Sequence, residues 1–284
     1  MLKFDANLRW LFTEVPMNDR YAAAAAAGFR GVEVAFPYET PPTELAARLA
    51  DNDLTLVQIL TPMDWANGER GLAALPERKS DFRESVRVAV DYAAQVGRPF
   101  IHPLAGTIPE GASQDRYLDT FIDNLVFTAD LAAQERLTVI IEPVCRARFP
   151  DFLFKRLEEG VAILEAVNRE NVKLCFDTFH VQMEEGALTE NLERFFPWIG
   201  HMQIGNTPGR NEPGTGEIHF PYVFEEIARL NWGGWIGCEY APSGHTLDCL
   251  EWAKPFGVRP PQSHRKSTSK SRAVAATDRR RGWT

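Results

Sequence analysis

The sequence has few of the features that mark specialised structural classes. Its four cysteines lie far apart and form no C-x-x-C pair, and three adjoin apolar runs, which indicates buried, reduced thiols and not a disulfide scaffold. No stretch reaches the roughly 20 apolar residues of a membrane span, and Asp5 and Arg9 interrupt the place where a signal peptide would be apolar. We therefore expect a cytoplasmic protein without a membrane partner.

Nucleotide-binding motifs and basic surface charge are also scarce. The loop LRWLFTEVP, which follows the first apolar run, has no G-x-G-x-x-G, so no nucleotide cofactor is expected. The net charge is −8, yet residues 258–284 contain eight basic residues and one acid, which leaves about −15 for residues 1–257. An acidic body repels nucleic acid, so we expect no nucleic-acid partner. The segment 258–284 is interpreted as a basic, disordered tail.

The sequence does contain a regular alternation of short apolar runs and longer amphipathic segments. The apolar runs predict eight strands, at 4–8, 31–35, 54–60, 99–104, 137–142, 172–177, 200–204 and 235–240. Helical periodicity predicts eight helices, at 19–27, 43–52, 77–96, 113–134, 154–167, 189–196, 221–230 and 246–254. Eight such units favour an α/β fold of the closed (β/α)₈ TIM-barrel type over an open doubly wound sheet, as a single domain over residues 1–257.

Oxygen-bearing residues end or closely follow four consecutive predicted strands. Strand five ends at Glu142, strand six at Asp177 and strand eight at Glu239, and Gln203 lies near the end of strand seven. In a TIM barrel these ends meet at one face, where the chemistry takes place. Three carboxylates and an amide oxygen suit Mg²⁺ or Mn²⁺ better than Zn²⁺. A divalent cation would also stabilise Glu142, which otherwise ends an apolar strand as an unpaired charge.

Two further polar residues near these ends could bind a small anionic or polyol substrate. His180 belongs to DTFH, just past strand six, and Arg210 lies in the loop NTPGRNEPGTGEI, where its guanidinium could fork onto a carboxylate. A simpler interpretation also remains, in which the acids cap helices, His180 caps a turn and Arg210 lies on an exposed loop. His102 ends strand four and could line the site, whereas His201 begins strand seven and is expected to be structural, at the opposite end.

Several stretches together carry a family resemblance: NLRWLFTEVP, AAAAGFRGVEVAFPYE, IIEP, DTFH, PGRNEPGTGEI and GWIGCEY. With them, residues 3–256 resemble the hydroxypyruvate isomerase family of xylose-isomerase-like (β/α)₈ barrels, which is close to 2-oxo-tetronate isomerases and ketose 3-epimerases. The resemblance implies that Glu142, Asp177, Gln203 and Glu239 hold the metal and that the two glutamates transfer the proton as acid and base. It also implies a homo-oligomer.

The activity implied by the resemblance is an aldose-ketose type isomerisation in carbohydrate and glyoxylate metabolism. Hydroxypyruvate and 2-hydroxy-3-oxopropanoate (tartronate semialdehyde) would interconvert through an enediolate, whose charge the metal stabilises. The alternatives are a 2-oxo-tetronate isomerase or a ketose 3-epimerase on the same site. A metal-dependent hydrolase such as a phosphodiesterase would need two or three metals and several strand-end histidines, and only His102 and His180 lie at such ends. A barrel that has lost its chemistry is the last alternative.

Overall fold

The structure is a computed structural model that describes residues 1–259, and a closed barrel of eight parallel strands forms its centre. The strands are β1 Lys3–Asn7, β2 Gly31–Glu33, β3 Thr55–Leu60, β4 Phe100–His102, β5 Val139–Ile141, β6 Val172–Asp177, β7 Ile199–Ile204 and β8 Trp235–Cys238. Each strand pairs with its neighbours in chain order, and β8 pairs in parallel with β1 to close the barrel. The predicted TIM barrel is therefore confirmed.

Helices occupy the connections between successive strands. They are α1 Met17–Ala26, α2 Pro42–Asp51, α3 Lys79–Gln95, α4 Gln114–Gln134, α5 Leu157–Val167, α6 Thr178–Glu184, α7 Leu188–Phe195 and α8 Phe220–Arg229, with 3₁₀ helices at Pro76–Arg78, Phe196–Trp198 and Thr246–Phe256. Two differences from the prediction stand out. The segment predicted as the last α-helix is a 3₁₀ helix, and α6, which starts directly after β6, was not predicted.

The strands have an apolar outer face and a partly polar inner face. On β1, Phe4 packs against Phe224 of α8, with ring centroids 5.2 Å apart, so the outer face contacts the helices. Successive side chains alternate across a strand, and Asp5 and Asn7 therefore point into the barrel. The buried polar residues of the strands are Asp5, Asn7, Glu33, Gln58, His102, Asp177, His201 and Gln203. The interior thus contains a polar layer beneath the face at which the carboxyl ends of the strands meet.

The described chain ends against the body of the barrel. Val258 is buried in the same apolar cluster as the barrel core. It lies beside Gly28, where a β-carbon would approach the carbonyl oxygen of Gly257 to 2.6 Å. The remainder of the predicted basic tail, from residue 260 onward, lies outside the described residues. Within residues 1–259, no helix has both the length and the apolar character needed to cross a membrane.

Candidate active site

Three carboxylates converge where β5, β6 and β8 end. Glu142 directly follows β5, Asp177 is the last residue of β6, and Glu239 directly follows β8. The Arg210 Nη2 atom lies 2.6 Å from Asp177 Oδ2 and 3.4 Å from Glu239 Oε1. On the other side, His180 Nε2 lies 3.6 Å from Glu142 Oε1 and 3.7 Å from Asp177 Oδ2. The structure therefore brings five of the six predicted site residues into one cluster.

Glu142 is the least satisfied of these acids. Its side chain is buried, and Oε1 has no hydrogen-bond partner among the residues that the structure describes. Burial raises the pKa of Glu142 well above its usual value, and the charges of Glu239 and Asp177 raise it further. A buried carboxylate without a donor is unstable as an anion unless a cation lies beside it.

Asp177 combines a structural role with its place in the cluster. It is the N-cap of α6, and its Oδ1 accepts a hydrogen bond of 2.8 Å from the backbone N–H of Phe179. Its Oδ2 accepts from Arg210. The simple interpretation, a helix cap, is therefore correct for Asp177, and it leaves the second oxygen directed at the site. Burial raises the pKa of this carboxyl, and the Arg210 charge opposes the shift.

The Glu239 carboxylate is held by one hydrogen bond and one ion pair. Trp10 Nε1 donates a hydrogen bond of 3.2 Å to its Oε1, and Arg210 lies beside the same oxygen. Burial raises the pKa of Glu239 to about 7, against the opposing effect of the Arg210 charge. A carboxyl with this pKa can both accept and release a proton near neutral pH, as a general acid or base requires.

Gln203 lies beside Asp177 in the barrel wall but faces inward. The register of β6 and β7 pairs the two residues directly. The Gln203 side-chain Nε2 donates to Glu33 Oε2 at 2.8 Å, and its Oε1 accepts from Cys175 Sγ at 3.2 Å. Because Glu33 takes the amide N–H, the oxygen is the atom that Gln203 can offer to a cation. In the described structure this amide makes no hydrogen bond to the three carboxylates.

The two histidines near the cluster are neutral. Burial lowers the pKa of His180 well below its usual value, and it lowers the pKa of His102 to about 3. The backbone N–H of Cys145 donates to His180 Nδ1 at 3.3 Å, so the ring proton is on Nε2. His180 therefore presents an N–H donor to the site and not a metal-binding lone pair. His102 Nε2 lies 3.9 Å from Glu142 Oε2, at the edge of the same cavity.

A cleft of about 620 Å³ of open space leads from the surface to this cluster. Glu142, His180, Arg210 and Glu239 line its base, and Asp177 and Gln203 are buried behind it. The lining of the cleft also includes Arg9, Trp10, Trp65, Arg148 and Phe149. Such a cleft, with few convergent polar groups and aromatic walls, is the usual form of a small-molecule site.

A second buried cluster lies inside the barrel. His201 Nε2 lies 2.6 Å from Glu33 Oε1, and Asn7 Nδ2 donates to Glu33 Oε2 at 2.7 Å. Asp5, Glu33 and His201 are close enough together to offer three ligand atoms to an ion. His201 was expected at the opposite end of the barrel as a structural residue. It lies in the polar interior layer, because alternation along β7 places it on the same face as Gln203, and its ring lies 5.5 Å from that of Phe100, the first residue of β4.

Several residues of the site were not singled out from the sequence. Trp10 donates a hydrogen bond to Glu239, and Glu33 accepts one from Gln203. Arg9 and Arg148 line the cleft from the loops after β1 and β5. For Glu33 a signal existed, because a charged residue inside the apolar stretch GVEV belongs in a barrel interior only when it has partners.

The chain belongs to the xylose isomerase-like TIM barrel family, whose model matches residues 21–256. Closely similar proteins include the 2-oxo-tetronate isomerase of Cupriavidus necator, which is 45% identical over 257 residues, or 90% of this chain and 99% of that protein. The hydroxypyruvate isomerase of Escherichia coli is 38% identical, over 90% of this chain and 100% of that protein. The resemblance to this family and the expectation of an isomerase enzyme are thereby confirmed.

A solved structure shows the same fold at similar identity. The crystal structure of a protein described as an AP endonuclease, family 2, from Brucella melitensis superposes with a TM-score of 0.87 and 38% identity, covering 90% of this chain and 100% of that chain.

Proposed function

We propose that this protein is a metal-dependent isomerase that moves a carbonyl group between adjacent carbons of a small hydroxy-oxo acid. The interconversion of hydroxypyruvate and 2-hydroxy-3-oxopropanoate is the reaction that we assign first. The observation that carries the proposal is that Glu142 and Glu239 line one cleft while Asp177 lies buried beside them, joined to Glu239 through Arg210. The names of the most similar relatives support the reaction class, and isomerisation of a 2-oxo-tetronate is the alternative on the same site.

The chain's own residues fit a divalent cation such as Mg²⁺ or Mn²⁺. Glu142 has a buried oxygen without a donor, and Glu142, Asp177 and His180 place ligand atoms within one small volume. Since His180 carries its proton on Nε2, the ligand set that remains is oxygen: the three carboxylates and Gln203 Oε1. Hard oxygen ligands are those that Mg²⁺ and Mn²⁺ prefer. When bound, the cation supplies Lewis-acid stabilisation of negative charge on the substrate oxygens.

Glu142 and Glu239 would transfer the proton between the two carbons. Both line the cleft, and the charge of Glu239 raises the pKa of Glu142 beyond the effect of burial. The pKa of Glu239, about 7, allows it to hold or release a proton at neutral pH. One glutamate removes a proton from the hydroxyl-bearing carbon next to the carbonyl, and the other delivers a proton to the former carbonyl carbon. The hydroxyl proton passes to the former carbonyl oxygen, and the roles of the two glutamates reverse with the direction of the reaction.

Arg210 and His180 would bind the substrate oxygens. His180 presents its Nε2–H between two carboxylates, and Arg210 is fixed between the rings of Trp10 and Phe179, with its guanidinium carbon 5.1 and 4.9 Å from their centroids. Arg210 is also bonded to Asp177 and to the backbone oxygen of Glu239. Such fixed donors favour charge on an oxygen in the transition state without having to reorganise.

Deuterium uptake from solvent tests the proposal. Hydroxypyruvate, a 2-oxo-tetronate and a neutral ketose are incubated in D₂O with and without Mg²⁺ or Mn²⁺ and followed by NMR. We expect metal-stimulated conversion of an oxo acid with deuterium at the exchanging carbon. Glu142→Gln, which has nearly the same shape, should reduce turnover by at least about 10³-fold because proton transfer is lost. Conversion by the Glu142→Gln variant at the parent rate would contradict the assignment.

The name of the Brucella melitensis protein suggests a hydrolytic function for that protein. A hydrolytic function of this chain would give a different result in a DNA-cleavage assay. It predicts cleavage of an abasic DNA duplex, whereas our proposal predicts none. The site geometry favours the isomerase, because His180 is held as a donor, whereas a hydrolase with two or three metal ions would need several histidine ligands. Cleavage that depends on two or more metal ions per chain would reject the isomerase proposal.

A further inference from the structure

Two arginines line the active-site cleft and have no partner of opposite charge among residues 1–259. Arg9 lies in the loop after β1 and Arg148 in the loop after β5, and both side chains line the cleft with Glu142 and Glu239. Neither guanidinium forms an ion pair or a side-chain hydrogen bond within residues 1–259. Arg210 differs from them, because its donors already bind Asp177 and the backbone of Glu239.

Aromatic rings hold both arginines in place. The guanidinium carbon of Arg9 lies 4.3 Å from the centroid of the Trp65 ring, and that of Arg148 lies 4.9 Å from the Phe149 ring. The two rings contact each other, with centroids 6.3 Å apart, so the two arginines share one aromatic wall. A guanidinium that stacks through its face keeps its N–H edge free. Both edges are therefore available to a ligand in the cleft.

The charges of these arginines repel each other. Partial burial lowers the pKa of Arg9, the Glu239 charge opposes this, and the charges of Arg148, Arg70 and Arg210 lower the pKa again. For Arg148, burial and the Arg210 charge are the two largest effects that lower the pKa, and the Glu239 charge opposes them. A concentration of like charge beside a cleft is stabilised when an anion binds there.

We propose that Arg9 and Arg148 together bind the carboxylate of the substrate at the aromatic wall. This inference rests on the proposed function and deepens it. Arg210 and His180 then contact the oxygens beside the reacting carbons, and the carboxylate is bound by the two free arginines. The site is thereby assigned to oxo-acid anions, and a neutral ketose, which has no carboxylate, leaves both arginines unpaired.

Glycerate and glycerol are the probes that separate this carboxylate site from the chemistry. Both carry adjacent hydroxyl groups, only glycerate has a carboxylate, and neither has a carbonyl to isomerise. Their affinities are measured by calorimetry with Mg²⁺ present in every sample. We expect glycerate to bind more tightly than glycerol to the parent protein. Arg9→Gln and Arg148→Gln should each weaken glycerate binding by about 10- to 100-fold, with glycerol binding unchanged.

Arg146→Gln is the matched control, since Arg146 lies in the same loop as Arg148 but pairs with Glu184 at 2.8 Å outside the cleft. It should bind glycerate as the parent does. Glycerate affinities within about twofold of the parent in either Arg9→Gln or Arg148→Gln would overturn the assignment. Failure of the isomerase assay, with the glycerate pattern as expected, would reject the proposed reaction and leave the carboxylate site standing. Normal conversion of hydroxypyruvate with an unchanged KM in both variants would reject the carboxylate site and leave the proposed reaction standing.

Discussion

The substitution Gly237→Ala should disrupt the polar interior of the barrel that supports the site. A β-carbon at position 237 would lie 2.2 Å from Glu33 Oε1, 2.9 Å from Glu33 Cδ and 3.0 Å from Gln203 Cγ. The Glu33 carboxylate must then move, although it accepts from Asn7 and Gln203 and pairs with His201. Hydrogen bonds to a buried charge contribute about 1.5–3 kcal/mol each. Loss of two of them should lower the free energy of unfolding by about 3–6 kcal/mol.

Urea unfolding, followed by circular dichroism without metal, measures this loss, and Gly233→Ala is the control. Gly233 is four residues away in the chain, and a β-carbon there would meet no atom within 4 Å. The control should be neutral or slightly more stable than the parent. In addition, Gly237→Ala should weaken Mn²⁺ binding, because Gln203 loses the carboxylate that orients its amide. Equal stability of the two variants would refute the account of the interior.

Two further changes address the same interior. Burial and the Glu33 charge raise the pKa of Asp5 well above its usual value of 3.8. The protonated carboxyl therefore stabilises the fold fully below pH 3.8, and this stabilisation is lost as the pH rises through the raised pKa. Asp5→Asn should therefore be as stable as the parent protein near pH 4 in thermal unfolding and more stable than the parent at alkaline pH. The difference in the free energy of unfolding should grow by up to about 1.4 kcal/mol per pH unit, and parallel pH profiles would contradict this. Glu33→Gln should raise the Mn²⁺ Kd about 10- to 100-fold in calorimetry, whereas the exposed Glu44→Gln should leave it unchanged.

The barrel and the site residues at the strand ends could be predicted from the sequence, because both depend on the order of apolar and polar residues within single strands and helices. Apolar runs such as that of β5 pack outward against helices, and their alternation with helical segments indicates a closed parallel sheet. All strands point the same way, so residues at their carboxyl ends meet at one face wherever the loops lie. This is why Glu142, Asp177 and Glu239 could be brought together without coordinates. Helix α6 was not predicted because it is a short helix that begins directly after the last residue of β6, with no loop between them.

The interior layer and the arginine wall could not be predicted in the same way. A polar residue within a strand usually indicates a solvent-exposed face, whereas in this barrel Glu33 and His201 face each other across the interior. Their pairing depends on the barrel's closure, which joins residues 168 positions apart. Arg9 and Arg148 lie in loops whose conformation depends on contacts with Trp65 and Phe149. Periodicity carries no information about such contacts.

Anomalous X-ray diffraction from crystals soaked in Mn²⁺ tests whether the strand-end oxygens share one metal ion. We expect one manganese peak per chain, bonded to oxygens of Glu142, Asp177, Gln203 and Glu239. Density at the cluster of Asp5, Glu33 and His201 alone, or no manganese within bonding distance of Glu142 and Glu239, would contradict this expectation.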